Sequence, residues 1–393
     1  MNKDNHNHIG FILILIFFLV FLELISYLSA LYISTRGKFL YIPQINESYN
    51  TYILRVNQYY GWPSSFTTPK GAVSDELIKG FRFDESGSRV IPAFPGPQKA
   101  CVSLYGDSFA YSGGVDDQHA WSNVLSILLG CKVANFGFTG YGTDQAYLRF
   151  HHNDNDNAKV VILSHFSENI QRNVNQLRNL LFPSPQFMIK PRFILDDERR
   201  LKLIPVPSLS EKDYYDCIKN PELYLKHDFF IPGGKSGLIK AKFPYTLTIF
   251  KVTKALIYER FFLGILNYQK LYDPQHPSQG LQVTIAIMKQ FYGECQEKGK
   301  YPLIVIIPVH HDIFQYYKDN YWNYQPLLDE LERNKIEYIN IGQGMVDYLQ
   351  GGDPWRLYSK ETLHCNEEGY ELIAKIVFRY IKDHRIDKFI KSN

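Results

Sequence analysis

Two short, continuously apolar runs constrain the fold of this chain more than any other feature. Residues 159–164 read KVVILS, and residues 303–307 read LIVII. Strands with apolar side chains at successive positions are buried on both faces, as in a parallel sheet that helices cover on each side. The two runs therefore predict interior strands of such a sheet.

Further strands and helices alternate around these two runs. Three more strands are predicted at 100–105, 132–135 and 337–341. Apolar residues at helical spacing predict helices over 118–129, 281–295 and 326–333. A terminal helix is predicted to bury one face, formed by Leu372, Ile373, Ile376, Val377, Tyr380 and Ile381. The alternation predicts an α/β protein with a central parallel sheet.

The N-terminal segment is apolar enough to cross a membrane. From Ile9 to Ile33 the run is interrupted mainly by Glu23 and two serines, and at 1.5 Å per residue it can span a bilayer core of roughly 30 Å. A cleaved signal peptide is the alternative, but Leu28-Ser29-Ala30 places a large residue where a small one is needed. We therefore expect an uncleaved single-pass anchor, with the rest of the chain on one side. Glu23 indicates either a partner helix or a tolerated charge.

These features divide the sequence into segments. We expect a short tail over 1–8, the anchor over 9–33 and a turn-rich stalk with a small extended module over 34–98. The α/β domain follows over 99–390. Within it, residues 171–279 form one long insertion after the third strand, which we expect to act as a lid or a docking element.

Composition excludes some functions. There are 43 Lys and Arg against 40 Asp and Glu, a net charge of +3, which gives no reason to expect nucleic acid as a partner. The five cysteines are scattered, odd in number and without a C-x-x-C pair, so we expect neither a disulfide scaffold nor a structural zinc site. Aromatic residues make up 15%, which suits a core and would also suit a sugar-binding cleft.

Candidate chemistry lies where predicted strands end. Gly106-Asp107-Ser108 follows the first strand, and ligands of open parallel sheets bind outside the carboxyl ends of the strands. The tripeptide alone also fits an ordinary turn. A glycine-rich loop over 135–142 follows the second strand, and Ser167-Glu168-Asn169 follows the third. With Glu361-Thr362-Leu363-His364 before the terminal helix, the chain holds a nucleophile, a base, an acid and oxyanion donors.

This set of segments, in this order, resembles the SGNH (GDSL-type) hydrolase superfamily from Ala100 to about His384, apart from the insertion. The resemblance implies a flavodoxin-like three-layer sandwich and no cofactor. It implies Ser108 as the nucleophile, His364 as the general base and Glu361 as the acid that orients it. The oxyanion hole would comprise the N–H groups of Ser108 and Gly140 and the side chain of Asn169.

Two segments depart from the pattern of that superfamily. Its third block usually reads Gly-x-Asn-Asp, whereas this chain has Ser167-Glu168-Asn169-Ile170, which makes Asn173 the alternative donor. The acid three residues before the histidine is usually Asp, and here it is Glu361. A glutamate can orient an imidazole from a slightly longer arm.

Other histidines border the same predicted edge. His310-His311-Asp312 follows the LIVII strand, and His165 ends the third strand. Histidine and aspartate are common metal ligands, but adjacent ligands at one strand end rarely converge. We therefore expect no metal site.

The resemblance and the predicted anchor together indicate a function. We expect a membrane-anchored, extracytoplasmic serine esterase that removes O-acyl groups, acetyl above all, from an envelope or extracellular polysaccharide. An O-acyltransferase that uses the same site is one alternative. The other is a non-catalytic glycan-binding or assembly protein. The expected partners are the O-acylated carbohydrate, the membrane and envelope polysaccharide-assembly proteins.

Overall fold

The computed structural model describes residues 3–35, 40–63, 82–258 and 268–391. Parts of the predicted stalk, 36–39 and 64–81, therefore lie outside the described residues. The strands are β1 Leu40–Tyr41, β2 Ala100–Tyr105, β3 Lys132–Asn135, β4 Val160–Phe166, β5 Arg192–Leu195, β6 Leu201–Ile204, β7 Ile239–Lys240, β8 Tyr301–Ile307 and β9 Tyr338–Asn340.

The α-helices differ widely in length. They are α1 Lys3–Thr35, α2 Tyr49–Arg55, α3 Ser108–Tyr111, α4 Trp121–Leu129, α5 Thr143–His151, α6 Asn169–Asn173, α7 Glu211–Lys219, α8 Pro221–Tyr224, α9 Tyr245–Tyr258, α10 Gly280–Glu297, α11 His310–Asp319, α12 Gln325–Arg333, α13 Ile341–Leu349, α14 Glu367–Asp383 and α15 Asp387–Lys391.

The chain forms two compact units. One comprises Met1–Ile53, Leu177–Ile189 and Pro207–Lys270, and the other comprises Leu54–Gln176, Lys190–Val206 and Leu271–Asn393. The predicted insertion at 171–279 is therefore shared between the units. Its two ends and the β5–β6 hairpin belong to the second unit.

The second unit is built on a five-stranded sheet of order β3-β2-β4-β8-β9, in which every neighbouring pair is parallel. Every residue of β4 is buried, as are all residues of β8 after the first. This confirms the central parallel sheet that the apolar runs predict. In chain order the strands lie 2-1-3-4-5, the flavodoxin-like arrangement, in which the direction of winding reverses between β2 and β4.

Helices flank this sheet. The helices α4, α13 and α14 pack together, with α4 against β3 and α13 against β8. The helices α5, α6 and α10 form another group, with α5 against β4 and α10 against β8. The predicted apolar face of the terminal helix is confirmed, because Leu372, Ile373, Val377 and Ile381 are buried. Residues that recur every three or four positions share one side of a helix and so enter the core together.

One disulfide joins neighbouring strands of the sheet. Cys101 in β2 pairs with Cys131, which directly precedes β3, with their Cα atoms 6.1 Å apart. The remaining cysteines, Cys217, Cys295 and Cys365, are reduced and buried. The spacing of the cysteines predicted no such pair, because parallel strands bring together residues that are distant in sequence.

The first unit contains the N-terminal helix. Strands β1 and β7 form a parallel pair, with Leu40 opposite Ile239. Ala30 of α1 and Val252 of α9 are fully buried in one apolar cluster that also includes Leu40. The segment His8–Thr35 of α1 is long and apolar enough to cross a membrane, and it is almost wholly exposed. Length and composition suit both a membrane anchor and a signal sequence.

Candidate active site

The nucleophile candidate lies at the point where the winding of the sheet reverses. Ser108 is the first residue of α3, directly after the end of β2, and only 7% of its surface is exposed. The Asp107 carboxylate caps α3 by accepting hydrogen bonds from the N–H groups of Phe109 (2.9 Å) and Ala110 (3.4 Å). A Cβ at Gly106 would lie 2.5 Å from that of Ala110, so only glycine fits this turn.

His364 is placed to act as the base. Its Nε2 atom lies 2.8 Å from the Oγ atom of Ser108. The other ring nitrogen, Nδ1, lies 2.8 Å from the carbonyl oxygen of Thr362. A carbonyl oxygen only accepts, so Nδ1 carries the hydrogen and Nε2 presents its lone pair to the serine hydroxyl. The structure therefore brings together two residues that lie 256 positions apart in the sequence.

The loop that carries His364 is fixed on both sides. The ring lies 4.9 Å from the Phe109 ring between centroids, and a Cβ at Gly113 would come within 3.3 Å of the imidazole. The Asn366 side chain caps α14 by accepting from the N–H of Gly369. These contacts hold the His364 ring against Ser108.

The structure does not bring Glu361 to the imidazole. Its side chain is exposed, and the position beside Nδ1 belongs to the carbonyl of Thr362. Leu363 adopts a left-handed backbone conformation, with φ at 59°, which turns the chain between these residues. In the structure, therefore, the Thr362 carbonyl and not Glu361 contacts Nδ1 of His364, contrary to the expectation for Glu361.

A buried ion pair joins Asp107, the residue before Ser108, to Arg172. Arg172 in α6 places Nη1 3.3 Å from Oδ2 of Asp107 and donates to the carbonyl of Tyr141 at 2.9 Å. Both side chains are buried. A polar residue ahead of a helix is a capping signal, so Asp107 was recognisable as a cap. Nothing in the local sequence marks Arg172.

Burial lowers the pKa of His364, and the surrounding charges act on it in opposite directions. The Asp107 carboxylate and the Thr362 carbonyl raise the pKa, whereas the Arg172 guanidinium lowers it further. Burial in turn raises the pKa of Asp107, and Arg172 opposes that effect. A lowered pKa keeps the imidazole neutral, and therefore able to accept a proton, near neutral pH.

Asn169 is the predicted oxyanion donor with the most distinctive surroundings. It begins α6 after β4, it is 1% exposed, and neither its amide nitrogen nor its amide oxygen has a hydrogen-bond partner among the described residues. The alternative, Asn173, is fully engaged, since it donates to Thr284 and accepts from the N–H of Asp144. The donor role of Asn169 stays a prediction, and the surroundings favour it over Asn173.

The glycine-rich loop lies against the nucleophile turn. The Asn135 side chain donates to the carbonyl of Ala110 at 2.8 Å, and the N–H of Phe138 donates to the carbonyl of Gly106 at 3.1 Å. Gly140 is buried further along this loop, with φ at 74°, a conformation that favours glycine. Its role as a second oxyanion donor stays a prediction.

The remaining histidines have structural surroundings. His165 is enclosed by hydrogen bonds to Thr143 and Tyr272, and burial lowers its pKa to about 3. His310 packs against Trp355 in a tilted arrangement, with ring centroids 4.0 Å apart, and burial lowers its pKa to about 4; its Nδ1 atom has no hydrogen-bond partner among the described residues. Over the ranges that the structure describes, no three His, Cys, Asp or Glu side chains form a group that could hold a metal ion.

Comparison with known proteins finds solved structures that share only low similarity with this chain. No family model and no curated protein sequence matches the chain. A G-D-S-L family protein from Desulfitobacterium hafniense DCB-2 shares 12% identity over 71% of this chain and 97% of its own, with a TM-score of 0.35. A protein from Lactobacillus plantarum shares 11% over 74% and 99%, with a TM-score of 0.36. An alpha/beta hydrolase from the metagenome of Lake Arreo, Spain, shares 10% over 73% and 96%, with a TM-score of 0.36. The chemistry must therefore be argued from the site itself.

Proposed function

We propose that the protein is a serine esterase that works through a covalent acyl-enzyme. The observation that carries this proposal is the 2.8 Å contact between His364 Nε2 and Ser108 Oγ, with Nδ1 bonded to a carbonyl. In this tautomer Nε2 takes the hydroxyl proton as Oγ attacks the ester carbonyl. The protonated imidazole then gives that proton to the leaving alcohol, and water releases the acid from Ser108 in a second, equivalent step.

Charge stabilisation during the attack is assigned to groups at the ends of β2 and β4. The backbone N–H of Ser108 and the buried amide of Asn169 would bind the oxyanion, together with the N–H of Gly140. A donor that lacks a partner in the free enzyme has no bond to break when the oxyanion forms. The unpaired amide of Asn169 supports this role.

We propose an O-acylated polysaccharide of the envelope or the cell exterior as the substrate, with acetyl as the acyl group. An N-terminal helix that can span a membrane would keep the enzyme at the cell envelope. The Cys101–Cys131 disulfide supports an extracytoplasmic location, because disulfides persist in oxidising compartments. The insertion reaches the edge of the sheet that carries the site, since Tyr272 donates to the carbonyl of Ser167 just after β4.

An O-acyltransferase that uses the same site is the second candidate. Both reactions share the nucleophile, the base and the oxyanion donors. They differ only in the molecule that receives the acyl group from Ser108, which is water in hydrolysis and a sugar hydroxyl in transfer.

The test uses a fluorophosphonate probe and an aryl acetate with the purified full-length protein. We expect the probe to label the protein and Ser108→Ala to abolish both labelling and turnover, whereas Ser208→Ala, at an exposed serine, leaves both unchanged. Turnover that persists in a folded Ser108→Ala variant would refute the mechanism. A folded wild-type protein that neither reacts with the probe nor turns over the ester would favour the non-catalytic alternative.

A second arm separates hydrolysis from transfer. The aryl acetate is supplied with and without an unacetylated oligosaccharide, and free acetate and acetylated sugar are both quantified. Hydrolysis predicts acetate in equal yield in both samples. Transfer predicts that the sugar accelerates release of the aryl alcohol and receives the acetyl group.

A further inference from the structure

Glu23 interrupts the apolar N-terminal helix, and the structure shows what its carboxylate binds. It accepts hydrogen bonds from the N–H of Tyr245 (2.6 Å) and from the N–H and hydroxyl of Thr246 (3.2 and 2.5 Å). These residues begin α9, whose first N–H groups have no partner within the helix. Glu23 therefore caps α9 from the neighbouring helix, where its negative charge also faces the positive end of the helix dipole.

The position of Glu23 fixes how deep α9 begins. Glu23 lies ten residues before Ile33, the end of the apolar run, which corresponds to about 15 Å along a helix, or half of a bilayer core of about 30 Å. A carboxylate at that depth is costly unless it is paired. The start of α9 supplies three donors, so the two groups satisfy one another at the same level.

From that level α9 runs alongside the second half of α1. Ala30 and Val252 each lie seven residues beyond the Glu23–Tyr245 contact, and both are fully buried in one cluster. Equal spacing from a common contact means that the two helices point in the same direction. The helix α9 therefore covers the same span as Glu23 to the end of the apolar run.

The outer face of α9 is exposed and carries apolar residues together with the exposed lysines Lys251 and Lys254. Leu247, Phe250 and Ile257 are 57%, 69% and 54% exposed, and their spacing places them on one side of the helix. Apolar residues of α1 such as Phe17 are exposed to a similar degree, at 71%. Lys251 lies at the middle of α9, and Lys254 lies in the half nearer the end of the apolar run; from these positions a lysine side chain can extend to the headgroups.

We propose that α9 enters the bilayer beside the N-terminal anchor and that lipid acyl chains cover its outer face. The inference rests on the proposed anchor, with which this face is continuous. It makes Glu23 a positioning residue that holds a second helix in the membrane. The first unit would then be fixed against the bilayer through two parallel helices.

The test measures the surroundings of nitroxide labels on single introduced cysteines of the full-length protein in phosphatidylcholine–phosphatidylglycerol vesicles. Labels at Leu247→Cys and Phe250→Cys report on α9, and Phe17→Cys reports on the anchor. Ile127→Cys on α4 is the matched control, because this apolar residue is 61% exposed but lies in the second unit. Unsubstituted protein measures background labelling of the buried native thiols.

We expect the labels at 17, 247 and 250 to collide with oxygen and to be protected from a water-soluble nickel chelate, with the reverse at 127. If the labels at 247 and 250 are accessible to the nickel chelate, as the label at 127 is, while the label at 17 remains in lipid, the inference about α9 is refuted but the membrane anchor is not. Protection from both reagents would mean that protein covers the face, which also overturns it. An aqueous label at 17, or loss of the N-terminal segment, would remove the anchor and the inference together, without bearing on the esterase.

The role of Glu23 is tested with the Phe250→Cys label. Glu23→Leu removes the acceptor, so we expect nickel-chelate accessibility at 250 to rise at least about threefold as the start of α9 leaves the bilayer. Glu23→Gln keeps a carbonyl acceptor and is expected to preserve the lipid signature. Equal signatures in Glu23→Leu and wild type would refute the capping role.

Discussion

The orientation of His364 by a backbone carbonyl predicts that Glu361→Gln leaves catalysis nearly unchanged. In a serine triad the buried carboxylate fixes the tautomer and stabilises the imidazolium, and its replacement by an amide lowers kcat about 10⁴-fold. At 1.36 kcal/mol per tenfold change, that loss corresponds to about 5.4 kcal/mol of transition-state stabilisation. Here Nδ1 already donates to the carbonyl of Thr362 at 2.8 Å, so the tautomer does not depend on Glu361.

The exposure of Glu361 limits any remaining contribution. Ion pairs between solvent-exposed groups contribute about 1 kcal/mol or less, and physiological salt screens them over about 8 Å. Through-space stabilisation of the imidazolium is therefore worth at most about fivefold in rate, and we expect a change in kcat of less than twofold. The predicted loss for a triad exceeds this by more than three orders of magnitude, so the two mechanisms are easily separated.

The assay is steady-state hydrolysis of an aryl acetate across pH, with folding checked by circular dichroism. Glu367→Gln is the matched control, since Glu367 is also exposed and lies three residues after His364, as Glu361 lies three before it. Equal and near-normal kcat in both variants would support the Ser–His pair. A decrease in kcat of about 10²-fold or more in Glu361→Gln, but not in Glu367→Gln, would refute the Ser–His pair and support a triad that includes Glu361.

Four further predictions concern Asn169, His364, Asp107 and the Cys101–Cys131 disulfide. Asn169→Ala should lower kcat about 10²–10³-fold, with a smaller change in KM and no loss of thermal stability, because it removes an unpaired buried amide; a normal kcat would exclude this donor. In the proposed mechanism the neutral imidazole is the base, so kcat/KM should rise with pH through the pKa of His364. The midpoint should lie below the ordinary histidine value of about 6.5, because burial lowers that pKa. Asp107→Asn removes a charge that raises this pKa, so the midpoint should move to lower pH, and an upward shift in the pH–rate profile would contradict this assignment. Cys101→Ser should lower the free energy of unfolding by about 2–4 kcal/mol in urea titrations, because the disulfide closes a loop over a sequence separation of 30, and an unchanged midpoint would show that the thiols are unpaired in solution.

The sheet could be predicted because its strands β4 and β8 are each marked by a run of consecutive apolar residues in the sequence. The observed β2 and β3 coincide with the strands predicted from the sequence pattern. The observed β4 starts one residue later and ends two residues later than predicted, and β8 starts two residues earlier. Apolar runs report burial directly, and the end of a parallel strand fixes which edge the next residue occupies. The end of β2 placed Ser108 at the carboxyl edge of the sheet, whereas the pairing with His364 was implied by the resemblance to the SGNH hydrolase superfamily.

The unpredicted parts of the site depend on irregular backbone. Glu361 stands at the expected distance from His364 in sequence, but spacing fixes the direction of a side chain only in a regular helix or strand. The left-handed Leu363 turns this loop so that a carbonyl, which no sequence pattern reveals, reaches Nδ1. Arg172 was missed for a related reason, because its partner Asp107 lies 65 positions earlier and on another strand end.

Two buried polar groups at the carboxyl end of β4 differ in a way that bears on function. Both ring nitrogens of His165 have hydrogen-bond partners within the protein, so its hydrogen-bonding groups need no ligand. Asn169 lies four residues later and is equally buried. Neither its amide nitrogen nor its amide oxygen has a hydrogen-bond partner in the described part of the chain. An unpaired buried amide costs about 1–3 kcal/mol, and an apolar side chain of similar size would avoid that cost. Stability therefore gives no reason for an asparagine at this position. A preorganised donor that pairs only when charge develops on the substrate does give one, since its unpaired state in the free enzyme is what strengthens its bond in the transition state.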